Sequence, residues 1–235
     1  WSYHPFQVTE KREVFTVTLA EEPLQIVIDP HTRLLHALDF DPGIEMLTDA
    51  LADSPHVAAR IHAAETLAKN GSHKAIAALR SAYTGEANWG VRTVISRQLG
   101  EVGNMEAAQA LAALLDAECD PRAMRSLVAA CGRYRSPVIA KGLVRWIEKP
   151  GQPYWALGEA LKSLGKQRER AHIPLIEKHL QDDGWWGWVR REAQVALGLT
   201  RQDDAFRRLL EHAQTAEPYP QVRMALPTAI AEAVK

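Results

Sequence analysis

The sequence predicts a mainly α-helical protein built as a solenoid, with a short β segment at its N-terminus. Beyond residue 42, the apolar residues follow a helical spacing to the end of the chain. Within this helical part, arginine and glycine recur at intervals that fit one pair of helices. Residues 14–40 instead alternate apolar and polar side chains. We therefore divide the chain into a β-strand segment, residues 1–41, and a helical repeat domain, residues 42–235.

The N-terminal segment contains three candidate strands, at residues 14–19, 24–28 and 34–40. The first alternates in the manner of a strand with one buried face, the third alternates at its end, and Asp29-Pro30 is a turn signal after the second. Because three strands seldom form a stable sheet alone, we interpret them as the end of a β-sandwich or as a small sheet against the first helix. The sequence begins with Trp1 rather than Met, so we expect a piece of a larger protein.

The helical part repeats a unit of helix, short turn and helix. An arginine occurs early in the first helix of four units: Arg60, Arg92, Arg190 and Arg223. Successive units are separated by 32, 32, about 30, about 36 and 33 residues. The turns inside the units are predicted at residues 70–72, 103–104, 134–137, 165–166 and 200–203. Such a unit buries its apolar stripe only against its neighbours, so five helical pairs and a closing half-unit predict a HEAT-like α-α superhelix.

An acidic residue precedes each of these arginines. The pairs are Asp53 with Arg60, Glu86 with Arg92, Asp183 with Arg190, and Glu217 with Arg223. We interpret them as a structural ladder of acid–arginine contacts across successive turns, in which the acids also cap helix N-termini. The alternative is a stripe of arginines that binds an anionic partner.

Aromatic residues recur at the same point of the repeat, and three of the seven tryptophans are Trp185, Trp186 and Trp188. Tryptophans at such turns usually pack over helix ends. Three indoles within four residues cannot all enter one core, so at least one is expected at the surface. Beside Arg190 and Arg191, an exposed indole would serve as an anchor for a protein or peptide partner.

Composition excludes several other functions. With 28 basic and 29 acidic residues, the net charge of −1 gives no general attraction to nucleic acid or anionic membranes. No apolar run reaches the ~20 residues that cross a bilayer. We identify no catalytic motif, metal site or cofactor site in this chain. The two cysteines, Cys119 and Cys131, form no disulfide framework, which favours the cytoplasm.

The order of elements resembles the C-terminal part of the M1 family of zinc aminopeptidases. The resemblance lies in residues 23–30, in residues 34–40 and in the helical array that follows. It implies a non-catalytic helical domain that packs on a catalytic domain absent from this chain and restricts access to it. Zinc would then belong to the parent protein. The family's HExxH motif has no counterpart here, and residues 103–107 match its Gly-x-Met-Glu-Asn motif only until Ala107.

Two other functions fit the sequence. A freestanding HEAT-repeat scaffold would bind a protein or peptide on its concave face. A HEAT-like DNA glycosylase would line a DNA groove with tryptophans and basic residues, although the net charge of −1 argues against it.

Overall fold

A computed structural model describes residues 1–215 and 217–235 of the chain. In this part of the chain there are twelve α-helices: α1 (Ile44–Asp53), α2 (Val57–Asn70), α3 (His73–Gly85), α4 (Trp89–Val102), α5 (Met105–Leu114), α6 (Pro121–Cys131), α7 (Pro137–Ile147), α8 (Tyr154–Gly165), α9 (Ile173–Lys178), α10 (Gly184–Thr200), α11 (Asp203–Ala213) and α12 (Pro220–Ala233). Two short 3₁₀ helices, Arg170–His172 and His179–Gln181, flank α9.

The helices form two layers. The even-numbered helices from α2 to α12 pack each against the next, and α1, α3, α5 and α7 form a second row behind them. At the C-terminal end, α9 and α11 pack on α10. A continuous apolar core fills the space between the layers. The prediction of a HEAT-like helical solenoid is confirmed, with α2/α3 as the first of five pairs and α12 as the closing helix.

Local sequence signals set the helix ends. The side chains of Ser72 and Asn104 accept backbone N–H bonds in the first turns of α3 and α5. Gly71 and Gly103 end α2 and α4 with φ of 62° and 80°, left-handed values that a glycine adopts at little cost. These caps place the first turns of the repeat where the sequence predicts them.

Glycines bring the even-numbered helices unusually close near the C-terminus. A Cβ atom at Gly165 in α8 would overlap the carbonyl oxygen of Ala196 in α10. A Cβ at Gly198 in α10 would overlap the carbonyl of Ala229 in α12 in the same way. Backbone therefore packs directly on backbone in this layer, which fixes how α8, α10 and α12 stack.

The three predicted N-terminal strands are absent. No residue from 1 to 43 belongs to a strand, and a single backbone hydrogen bond, from Thr32 to Asp29, joins residues of this segment. A strand requires a ladder of hydrogen bonds to a neighbour, and alternation alone supplies none. Val14 and Leu24 remain 88% and 79% exposed. The segment touches the helices where Gln25 donates to the Asp49 carbonyl. The domain boundary at residue 41 and the sandwich interpretation stay predictions.

Candidate protein-binding surface

Arginines of the repeat bridge successive turns between units. Arg60 Nε donates to Glu86 Oε2 at 2.7 Å, while its Nη1 donates to the Ser54 carbonyl at 2.7 Å. One unit later, Arg92 Nε donates to Glu118 Oε2 at 2.8 Å, and its Nη1 to the Glu86 carbonyl at 2.7 Å. Each guanidinium thus joins the turn before its own helix to the turn before the next unit.

The acids stabilise these turns without capping a helix themselves. Glu86 accepts the backbone N–H of Asn88 at 2.7 Å, and Glu118 accepts that of Asp120 at 2.7 Å. Asn88 and Asp120 are the actual N-caps of α4 and α6. The predicted capping role is therefore wrong for Glu86, because this acid lies two residues before the cap.

Glu118 has the most complete set of partners. Its Oε2 also accepts the Tyr83 hydroxyl at 2.6 Å, so a tyrosine of α3 and an arginine of α4 meet at one buried carboxylate. Burial opposes ionisation, but the bonds from Arg92 and Tyr83 hold the pKa of Glu118 below its ordinary value. Glu118 was not predicted from the sequence, because the arginine position of its own unit is occupied by Met124.

Of the other predicted ladder residues, some form an acid–arginine contact and others do not. Arg190 Nη1 donates to Glu217 Oε2 at 3.0 Å, and the same guanidinium also contacts Asp183. Arg223 is exposed, and no ion pair joins it to any described residue. Asp53 likewise takes no arginine within residues 1–215 and 217–235, since Arg60 reaches forward to the next turn.

A second feature, which we call the aromatic surface, consists of Tyr154, Trp155, Trp185, Trp186 and Trp188. Trp185 stacks on Tyr154, with ring centroids 4.1 Å apart and planes at 17°. Trp155 contacts both Tyr154, at 5.0 Å, and Trp188, at 4.3 Å. Four of the five rings therefore form one continuous row across the starts of α8 and α10.

A left-handed turn positions the tryptophans of α10. Trp185, Trp186 and Gly187 have φ values of 54°, 59° and 75° before the regular helix continues from Trp188. Such values are unfavourable for residues with a side chain. Gly187 is required, since a Cβ there would lie 2.7 Å from the Tyr219 ring. The turn leaves Trp185 63% and Trp186 77% exposed, whereas Trp188 is half-buried.

Two arginines contact the aromatic row, one at Trp155 inside it and one at Trp188 at its end. The Arg125 guanidinium lies 5.1 Å from the Trp155 ring centroid, and that of Arg191 lies 5.2 Å from Trp188. The two arginines predicted to bind beside the tryptophans therefore lie in different places. Arg191 lies at the aromatic surface, while Arg190 belongs to the ladder. Arg125 was not predicted, because it lies on α6, thirty residues before Trp155 and sixty before Trp185.

Charged residues close one side of the aromatic surface. Glu192 is buried beneath it and contacts Lys162 Nζ at 2.9 Å as well as Arg191. Lys162 also pairs with Glu159 at 2.8 Å. The indole N–H of Trp188 is buried and has no hydrogen-bond partner among the described residues. Together these groups offer aromatic faces and guanidinium donors, which suits recognition of a polypeptide more than chemistry on one.

Within the described ranges, no three His, Cys, Asp or Glu side chains converge as metal ligands. Of the helices in these ranges, none combines the length and apolar character needed to cross a bilayer.

Comparisons with known proteins identify the repeat. The family of HEAT repeats matches residues 44–132, which span α1 to α6. No curated protein matches the chain, so no curated zinc aminopeptidase supports the M1 resemblance. Among solved structures, human deoxyhypusine hydroxylase in complex with glycerol is similar at 16% identity and a TM-score of 0.42. That alignment covers 81% of this chain and 95% of the hydroxylase.

Proposed function

We propose that this HEAT-repeat chain is a binding scaffold that holds a segment of a partner protein on its aromatic surface. The observation that carries the proposal is the exposure of Trp185 and Trp186 at the start of α10. Tryptophan and arginine are the residues most enriched among those that dominate protein–protein binding energy. HEAT repeats also supply the long, rigid surface on which such residues act.

The backbone conformation supports a binding role for the two indoles. A fold that only needed to continue α10 would use right-handed residues at positions 185 and 186. Instead, consecutive tryptophans occupy left-handed conformations, which cost about 1–2 kcal/mol each. Strain of this kind tends to persist where a site depends on it.

The surrounding groups indicate the chemistry of the partner. Apolar or aromatic side chains would cover the row from Trp185 to Trp188. Arg125, over Trp155, and Arg191, over Trp188, would donate hydrogen bonds to backbone carbonyls or carboxylates of the bound segment. Arg125 has no ion pair within the described part of the chain, so its guanidinium is available.

Selection from a display library of random peptides tests this proposal. We expect the chain to enrich peptides that bind with micromolar or tighter Kd, and the double variant Trp185→Ala/Trp186→Ala to bind them at least about tenfold more weakly. Trp1→Ala is the matched control, since Trp1 is 66% exposed but lies outside the aromatic surface. Equal binding by the double variant would refute the aromatic surface as the site.

A second candidate follows from the N-terminal segment. We propose that the segment, with Val14 and Leu24 exposed, packs against another domain, as it would at the end of the sandwich of an M1-type aminopeptidase. The helical domain would then restrict access to a catalytic domain, and zinc would be bound by that domain alone. Only the resemblance of residues 23–40 supports the enzyme family.

Two observations test this second candidate: an assay of the chain alone and the sequence of the parent protein. We expect neither stoichiometric zinc nor aminopeptidase turnover from the chain itself. An HExxH motif followed by a glutamate in the parent sequence would support the candidate, and a parent without that motif would exclude it.

We also propose a cytoplasmic location. Cys119 is exposed and Cys131 buried, and both are free thiols. Exposed free thiols are typical of proteins in reducing compartments.

A further inference from the structure

A second series of equivalent positions lies at the opposite ends of the even-numbered helices. These positions are Gly71, Gly103, Arg135, Arg168 and Arg201, spaced by 32, 32, 33 and 33 residues. Each immediately precedes the N-cap residue of the next helix of its unit. The first two units therefore have glycine where the last three have arginine. We call Arg135, Arg168 and Arg201 the arginine column.

Two of the arginines keep the backbone conformation of the glycines they replace. Arg168 and Arg201 have φ of 59° and 53°, beside 62° for Gly71 and 80° for Gly103. An L-residue in this region is strained, and glycine would relieve the strain. Folding alone would therefore favour glycine at both positions, so the arginine side chains need another explanation.

Side-chain amides hold successive turns in register. Gln202 Nε2 donates to the Arg168 carbonyl at 3.1 Å, as Asn104 Nδ2 does to the Gly71 carbonyl at 3.3 Å. Gln167 Nε2 donates to the Tyr134 carbonyl at 2.8 Å, and its Oε1 accepts the Ser136 N–H at 3.0 Å. Gln167, the residue before Arg168, therefore binds the backbone on both sides of Arg135. The column is consequently anchored on a rigid edge.

The column carries positive charge that is only partly compensated. Burial lowers the pKa of Arg168, and the neighbouring charges of Arg135 and Arg201 lower it further. Among the described residues, Glu232 is the only acid that forms an ion pair with an arginine of the column, 3.9 Å from Arg201 Nη2. No carboxylate pairs with Arg135 or Arg168 within the chain as described, and the buried Nε of Arg201 has no hydrogen-bond partner there. A carboxylate ligand would relieve the repulsion and accept hydrogen bonds from the unpaired guanidinium groups of Arg135 and Arg168.

We propose that the arginine column binds an acidic, extended peptide segment through carboxylates at every third residue. Packed helices lie about 8–10 Å apart, so adjacent arginines of the column are anchored at about that interval. An extended peptide rises about 3.3 Å per residue, so every third side chain recurs after about 10 Å. The bound segment would run across the turns after α6, α8 and α10.

Duplex DNA fits this edge less well than an acidic peptide. The chain as a whole has a net charge of −1, and Glu232 lies beside Arg201. Three arginines neutralise few phosphates, whereas duplex binding normally depends on a larger basic surface. The column also lies about 20 Å from Trp188 along α10, so it is a separate site from the aromatic surface.

The test uses a synthetic peptide of about nine residues with glutamate at every third position among serines. We expect it to bind the chain at low salt, with binding measured by fluorescence anisotropy. The double variant Arg168→Gly/Arg201→Gly should weaken binding at least about tenfold, because two charge-assisted contacts are lost. The same variant should melt at a higher Tm than the unsubstituted chain, since glycine suits the left-handed backbone.

Three controls make the outcome decisive. Arg80→Ala, which removes an exposed arginine on α3, should leave binding unchanged. A peptide with glutamines in place of glutamates, and one with its three glutamates consecutive, should both bind more weakly. Unchanged binding by the double glycine variant, or tighter binding of a duplex DNA oligonucleotide than of the acidic peptide, would overturn the proposal. Because Trp185 and Trp186 are untouched, failure here would leave the aromatic surface in place.

Discussion

At the scale of single residues, buried arginine–glutamate contacts connect one repeat to the next. Arg92 and Glu118 are largely buried, and Tyr83 donates to the same carboxylate oxygen as the guanidinium. Removing one partner of such a pair leaves a buried charge without compensation. Arg97 and Glu65 form a contrasting contact at 3.6 Å between exposed side chains. Exposed pairs of that kind contribute little to stability.

A double-mutant cycle on Arg92→Ala and Glu118→Gln measures the buried contact. We expect a coupling free energy of about 1.5–3 kcal/mol, as for hydrogen bonds to charged groups. The matched cycle on Arg97→Ala and Glu65→Gln should give less than about 1 kcal/mol. Urea unfolding of seven proteins, the unsubstituted chain and the three variants of each cycle, supplies the values. Equal coupling in the two cycles would contradict a special role for the buried contact.

Acid should weaken the same contact. The folded state lowers the pKa of Glu118, so this carboxylate stabilises the fold above its unfolded pKa of about 4.3. Its contribution is lost as the pH falls below that value and the carboxylate becomes protonated. Between pH 5 and pH 3, the free energy of unfolding should fall more steeply for the parent chain than for Glu118→Gln. Parallel pH profiles would show that Glu118 adds no such dependence.

At the scale of helices, backbone contact at glycine sets the spacing of the even-numbered layer. Gly198 of α10 meets the carbonyl of Ala229 in α12 so closely that no Cβ fits between them. In contrast, a Cβ at Gly85, the last residue of α3, would meet no atom within 4 Å. Both positions are helical, so the intrinsic preference of a helix for alanine over glycine is similar at each.

Alanine at these two glycines should therefore act in opposite directions. Gly198→Ala is expected to lower the free energy of unfolding by about 1–3 kcal/mol or more, because α10 and α12 must separate. Gly85→Ala should be neutral or raise it by up to about 1 kcal/mol. Thermal and urea unfolding provide the comparison. A neutral Gly198→Ala variant would mean that the two helices do not pack at backbone contact.

At the scale of the whole molecule, the solenoid presents different chemistry at its two edges. The aromatic surface lies where α8 and α10 begin, and the arginine column lies where they end. Each repeat contacts mainly its neighbours, so both edges extend through stacking of similar units. The side chains at one edge of a repeat protein can therefore change while contacts at the other edge still hold the stacked helices together.

The sequence predicted the features that depend on local chemistry. Helices and turns followed from apolar spacing and from Gly71 and Gly103, because these signals act within a few residues. The strands did not form, since alternation in residues 14–40 specifies a buried face but supplies no pairing partner. Arg125 and Glu118 were missed for a related reason. Their partners come from neighbouring units, and only the stacking of helices brings them together.

The indole N–H resonances of the seven tryptophans test the central claim most directly. In ¹H–¹⁵N spectra, we expect a peptide selected on the chain to shift the resonances of Trp185 and Trp186 while that of Trp1 stays in place. Single Trp→Phe variants assign the peaks. Peptide binding that leaves the Trp185 and Trp186 resonances unchanged would contradict the aromatic surface as the proposed binding site.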